Sequence, residues 1–118
     1  MLREFFLGFI KLHIVYHASR EPVFGLELIR ELARHGYDLS PGTLYPLLHN
    51  LEKTGYLKRE DRLVDGKVRK YYTATAEGQR ALADARAKIV ELVGELIGET
   101  ESTPRAQTKP GAKANKQD

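Results

Sequence analysis

With 118 residues, no cysteine and a formal net charge of +3, the chain has room for one domain with a real core, and it excludes a disulfide framework, a thiolate metal site and a catalytic thiol. The charge excess sits at the end, because residues 1–101 carry 15 Lys plus Arg against 15 Asp plus Glu. The longest apolar run, around Phe5 to Val15, is interrupted by Lys11 and His13 and is followed by no small-residue cleavage site, so neither a membrane span nor a secretory signal is expected, and the default is a soluble cytoplasmic protein.

From Leu2 to about Ala18, Phe5, Phe6, Phe9, Ile10, Leu12, Val15 and Tyr16 cover more than one helical stripe. This predicts a helix buried on two sides, one facing its own domain and the other a partner helix or a second copy of the chain. His13 and His17 stand four apart on one face, a spacing that can share a metal, with His35 or His49 as further ligands. Without cysteine or a nearby carboxylate pattern, exposed or interface histidines are the plainer reading, and no metal or other cofactor is assigned. Ser19, Arg20, Glu21 and Pro22 form a break, after which Phe24, Leu26, Leu28, Ile29, Leu32 and Ala33 mark a second helix ending at Gly36.

The stretch Leu39 to Gly55 reads as a short helix with two unlike faces. Ser40 is placed to cap it, its hydroxyl accepting from a first-turn backbone N–H, and Pro41 at the first position gives up only an orphaned donor. Leu44, Leu47, Leu48 and Leu51 form one buried stripe, and Gly55 falls where a left-handed cap is wanted. The other face holds Gly42, Thr43, Tyr45, Pro46, His49, Asn50 and Lys53, polar and almost free of acids, and suited to reading something polar. Pro46 inside a helix costs about 3 kcal/mol in an ordinary interior, less near the first turn, so a kinked surface helix is the plain alternative. Two helices joined by a Gly-containing turn make a helix-turn-helix pattern, which is common in purely structural pairs too.

Leu57 to Val64 and Lys67 to Thr73 bracket Asp65-Gly66, a strong signal for a two-residue hairpin. Its arms carry Lys58, Arg59, Arg62, Lys67, Arg69 and Lys70, with Tyr71 and Tyr72 close by. Edge strands carry such charges simply to avoid aggregation, but here the basic arm follows a polar-faced helix and the two features reinforce each other. Thr75 can cap a last helix, with Gly78 a mild weakness in its first turn. Leu82, Ala85, Ile89, Leu92 and Leu96 repeat there at heptad spacing, widened by Val90, Val93 and Ile97. That stripe needs cover, either from a second copy of the chain or from the first helix. Residues 39–74 hold seven cations against four anions while residues 75–101 hold three against six, so only the middle of the chain suits a polyanion. The segment after Glu101 has no apolar period and is expected to be a disordered basic tail adding nonspecific attraction to nucleic acid.

The segments LSPGTLYPLLHNLEKTGYL and VDGKVRKYYTATAEGQRAL resemble the PadR-like transcriptional regulators, over about Phe5 to Leu82, in the branch with a single short C-terminal helix. The resemblance implies an α+β protein, mainly α with a small β-hairpin: a winged helix-turn-helix with N- and C-terminal dimerisation helices. Its parts would be residues 1–74 for DNA binding, 75–99 for the dimerisation helix and 100–118 for the tail. It implies a homodimer binding double-stranded operator DNA, probing with a recognition helix from Ser40 to Lys53 and a wing from Leu57 to Thr73, and usually repressing transcription. Thr43, Tyr45 and Pro46 are then expected at bases or sugar-phosphate. Ser40, Pro41 and Gly42 fall at the phosphate-facing N-terminus, Asn50 and Lys53 at phosphates further along. Lys67, Arg69 and Lys70 take phosphates or the minor groove, oriented by Tyr71. The dimer interface expected from the resemblance and the heptad is Phe5, Phe6, Phe9, Leu82, Ala85, Ile89, Leu92, Val93 and Leu96. Some members answer to aromatic effectors between these helices. Phe5, Phe6, Phe9 and Tyr16 can line such a pocket, although ordinary core is the plainer role and the chain has no tryptophan for a large aromatic sandwich. Catalysis is not expected, since Ser40 and Thr43 have no evident base and no glycine-rich phosphate loop or paired acids exist. The alternatives are a winged-helix protein-interaction module that never touches DNA, and a metal-responsive regulator using His13 and His17.

Overall fold

The computed structural model describes residues 2–101. Of the tail expected over residues 100–118, Thr100 and Glu101 are instead helical, and the rest lies outside the described residues. Helix α1 (Leu2–Arg20) is followed by a short strand β1 (Val23–Phe24), helices α2 (Gly25–Arg34) and α3 (Pro41–Lys53), strands β2 (Leu57–Val64) and β3 (Lys67–Ala74), and helix α4 (Ala76–Glu101). The three strands form one antiparallel sheet in the order β1-β3-β2. This is a mainly helical winged helix-turn-helix, as the resemblance implied.

Both helices of the helix-turn-helix stop in the same way. Gly36 (φ +88°) and Gly55 (φ +93°) take the left-handed conformation that glycine adopts without a Cβ penalty. After α2, Gly36 donates to the Ala33 carbonyl and Tyr37 to that of Leu32, both at 3.0 Å; after α3, Gly55 donates to Glu52 at 3.1 Å and Tyr56 to Leu51 at 2.9 Å. These paired bonds are Schellman motifs. The start of α3 differs from expectation. Ser40 is the N-cap residue with extended backbone, but its side chain caps no backbone N–H. Its hydroxyl instead donates to Thr43 Oγ1 at 3.4 Å, and the backbone N–H groups of Thr43 and Leu44 turn to the Ser40 carbonyl.

The hairpin is closed by Asp65 (φ 52°) and Gly66 (φ 77°), with Val64 opposite Lys67, the two-residue type I′ geometry that the Asp-Gly pair predicts. Strand β1 is a correction to the helix expected from Phe24: Phe24 is extended (φ −122°, ψ 163°) and pairs with Tyr71, while Val23 pairs with Tyr72. Two residues gain this conformation only because β3 offers them an open edge, a partner some 48 residues away that local periodicity does not see.

A single core gathers Ile10, Ile14, Val15 and Ala18 of α1, Val23, Leu28 and Leu32, Leu44, Leu48 and Leu51 of α3, and Leu57 and Tyr72 of the sheet. Within the chain α1 is buried along that stripe, while Phe5 and Phe6 on it remain 62% and 43% exposed. The described residues divide into one unit ending at Asp84 and another beginning at Ala85. The first turns of α4 thus belong with the winged unit, where Leu82 packs against the core. Among the described residues no helix is long and apolar enough to cross a membrane.

Gly78, a weak residue by helix propensity, has a positive role. Thr75 caps α4 by accepting from the Gly78 N–H at 3.0 Å, and its own hydroxyl donates to the Gly55 carbonyl, tying the end of α3 to the start of α4. A Cβ on Gly78 would overlap the Tyr56 carbonyl oxygen, which is backbone and cannot swing aside. Ordinarily Gly→Ala inside a helix gains about 1 kcal/mol. Gly78→Ala is expected to lose about 1–3 kcal/mol through the forced shift, measured by urea denaturation; a gain would show that the helix start tolerates the methyl.

Candidate nucleic-acid interface

The outer face of α3 is open. Ser40, Pro41, Gly42, Pro46, Asn50 and Lys53 are exposed and Thr43 is half-buried, whereas Leu44, Leu48 and Leu51 hold the opposite face in the core. No acid stands in the first turn of α3, so its positive dipole end is unneutralised by the helix itself. Tyr45 is placed differently from a free probe. Its hydroxyl end lies against Gly25, where a Cβ would collide with the phenol, and the ring is 37% exposed. Gly25 at the first position of α2 therefore serves close approach, and it fixes the direction of Tyr45.

In the wing the period of two sorts the basic residues. Lys67, Arg69 and Tyr71 share one face of β3, and Val68, Lys70 and Tyr72 the other, so Arg69 and Lys70 point to opposite sides although adjacent. On the first face Arg69 lies over the Phe24 ring at 4.7 Å, Phe24 meets Tyr71 edge-on at 5.3 Å, and Arg62 lies over Tyr71 at 4.7 Å. These cation–aromatic contacts hold two guanidinium groups in place on the wing. Arg62 also pairs with Glu60 at 3.1 Å and Arg59 with Asp61 at 3.5 Å. Among the described residues Lys53, Lys67, Arg69 and Lys70 make no ion pair and keep their charge for an external anion.

The two elements meet in one groove of about 420 Å³ lined by Phe24, Gly25, Leu26, Tyr45, Lys67, Val68, Arg69 and Lys70. Sequence reasoning did not single out Phe24 or Arg62 as site residues; Phe24 was hidden by its reading as helix, whereas Arg62 was visible as a charge but not as the partner of Tyr71. It also passed over Leu63 and Val68, a cross-strand pair at the wing tip that is 74% and 67% exposed.

The residues expected at a dimer interface fall into two sets. In the first turns of α1, Phe5 and Phe9 meet edge-on at 5.5 Å, and Phe6 meets Tyr37, from the turn between α2 and α3, at 6.4 Å. On α4, Leu82 is packed on the domain core and Ala85 is half-buried, while Ile89, Leu92, Val93 and Leu96 are exposed. Of the histidines, His13, His17 and His35 come together, and His49 stands apart on the exposed face of α3. Burial first, and then repulsion from His35 and His17, lower the His13 pKa below the usual imidazole value, against the pull of Glu31.

A helix-turn-helix with an acid-poor outer helix and a basic two-stranded wing defines the winged-helix class of nucleic-acid readers. The model of the transcriptional regulator PadR-like family matches residues 14–84, and the chain belongs to that family. It is 48% identical over 97 residues to the transcriptional regulator Rv3488 of Mycobacterium tuberculosis, covering 82% of this chain and 91% of that one. A PadR family transcriptional regulator from Eggerthella lenta is 34% identical with a TM-score of 0.71, covering 87% of this chain and 91% of that one. A PadR-like transcriptional regulator from Bacillus cereus is 26% identical with a TM-score of 0.76, covering 85% and 99%. The chain is accordingly a transcriptional regulator and not an enzyme.

Proposed function

We propose that this regulator is a cytoplasmic, homodimeric repressor that binds double-stranded operator DNA sequence-specifically and is released by an effector. The observation that supports the DNA reading is the groove that Tyr45 of α3 lines together with Lys67, Arg69 and Lys70 of the wing, three cations without an ion pair among the described residues. In this reading Thr43 and Pro46 meet base edges or the thymine methyl, Ser40, Pro41 and Gly42 approach a phosphate, and Asn50 and Lys53 take phosphates further along. Tyr45, held by Gly25, contacts the backbone or a base with its exposed edge, and Tyr71 orients Arg62 on the wing. Dimerisation uses Phe5, Phe6 and Phe9 of α1 with Ala85, Ile89, Leu92, Val93 and Leu96 of α4; Leu82 supports the base of α4 from within its own unit. A small molecule lodged among the α1 aromatics at that interface is the effector class favoured, and the basic charge of the tail adds nonspecific attraction to nucleic acid.

A mobility-shift titration with the chain's own upstream DNA tests the reading. Wild type is expected to shift that DNA in preference to a scrambled duplex, and Thr43→Ala to change the preferred sequence, at about 1–3 kcal/mol for a contacted base, more than the total affinity. Absence of any shift at low salt would leave a winged-helix module that meets only proteins.

A further inference from the structure

We propose that His13, His17 and His35, with the Glu31 carboxylate as a fourth donor, form a binding site for a divalent transition-metal ion of the zinc type, joining α1 to α2. His13 and His17 stand one turn apart on α1; Glu31 and His35 stand one turn apart across from them, on α2 and at its C-cap. One ligating atom from each of the three imidazoles lies within 4.8 Å of the others. The Glu31 oxygens divide their work. Oε1 accepts from Arg34 at 3.1 Å, while Oε2 faces His17 Nε2 at 3.9 Å and His35 Nε2 at 3.6 Å, distances too long for hydrogen bonds.

Two features set this cluster apart from a chance meeting of surface histidines. His17 Nε2 is buried and has no hydrogen-bond partner among the described residues, although a buried polar nitrogen ordinarily finds one. The rings also crowd one another, His13 lying on His35 with centroids 4.7 Å apart. Each neutral imidazole keeps one nitrogen lone pair free to bind a cation. A shared cation accounts for both features. Tetrahedral zinc places nitrogen donors about 3.3 Å apart, so adjustments of about 1.5 Å, within reach of side-chain rotation, close the site. Imidazole donors with one carboxylate suit zinc, cobalt or nickel; magnesium and calcium want oxygen donors alone, and copper(I) wants sulfur.

The cluster stands beside the turn from His35 to Leu39 that leads into α3, so an ion there would stiffen the link between α1 and the recognition helix. That consequence rests on the proposed DNA reading; metal binding itself does not. The test uses the untagged full chain, stripped with chelator and titrated with Co²⁺ in the absence of DNA. The expected result is the visible absorption of tetrahedral cobalt saturating at one ion per chain, displaced by Zn²⁺, with Zn²⁺ raising Tm by several degrees. His17→Ala and His35→Ala are expected to abolish the absorption and Glu31→Gln to weaken binding at least tenfold, while His49→Ala leaves it unchanged. His35 is exposed, so its variant keeps the fold, checked by circular dichroism. No cobalt absorption and no zinc-dependent Tm shift in wild type would overturn the proposal, as would undiminished absorption in folded His35→Ala. One cobalt per chain in a protein that shifts no DNA would support the site while removing the DNA reading.

Discussion

Replacing Arg69 and Lys70 together by alanine is expected to weaken binding to every duplex, operator or not, and to flatten the dependence of affinity on salt. Each cation that neutralises a phosphate releases condensed counterions, contributing a slope of about −0.9 per phosphate to log K against log salt. In the proposed dimer, two such residues on each protomer remove at most about four contacts, which makes the slope shallower by up to about 3.6 and costs up to about 10³-fold near physiological salt. The opposite orientation of the two side chains on β3 adds a finer expectation. If one wing face lies against the backbone, the single variants differ, and the one facing DNA carries most of the change in slope. Arg69 also stacks on Phe24, so part of its loss arises from a looser wing. Phe24→Leu separates the two effects: it frees the guanidinium without deleting its charge and is expected to lower affinity while keeping the salt slope. Fluorescence anisotropy at several salt concentrations reads all of this. An unchanged slope and affinity in the double variant would remove the wing from the interface.

The parts of this fold legible in the sequence are those governed by local chemistry. Asp65-Gly66 specifies the hairpin because few pairs tolerate two successive positive φ values, and Gly36 and Gly55 mark helix ends for the same reason. The leucine stripe of α3 announces its buried face. What stayed hidden depends on partners distant along the chain. Val23 and Phe24 become a strand only against β3, and Gly25 looks like an indifferent helix start until Tyr45 is laid on it. The histidine cluster was half visible, since the spacing of His13 and His17 can be counted, but choosing His35 over His49 required the crossing of α1 with α2. The candidate interface divides likewise: its charges were readable, whereas which wing face each cation occupies needed the strand register.

Tyr72 offers the sharpest test of the core. It lies on the central strand and is fully buried, yet its hydroxyl has no hydrogen-bond partner among the described residues. Burial pushes the phenol pKa up, reinforced by Glu52 and opposed by Arg59, so the group stays neutral. Ring and hydroxyl should therefore act with opposite sign. Tyr72→Ala removes a large side chain from between α1, α3 and the sheet and is expected to cost about 3–5 kcal/mol, a large part of the total stability of a small domain. Tyr72→Phe keeps the ring and deletes an unsatisfied polar group, so stability is expected to rise by about 1 kcal/mol. Urea denaturation of the three proteins measures both steps. A loss of 1 kcal/mol or more in Tyr72→Phe, by the same scale, would mean that a buried water satisfies the hydroxyl. In that event the Tyr72, Tyr45 and Glu52 region beneath α3 would be a hydrated polar network, and under the proposed DNA reading Tyr72→Phe should then disturb DNA affinity along with stability.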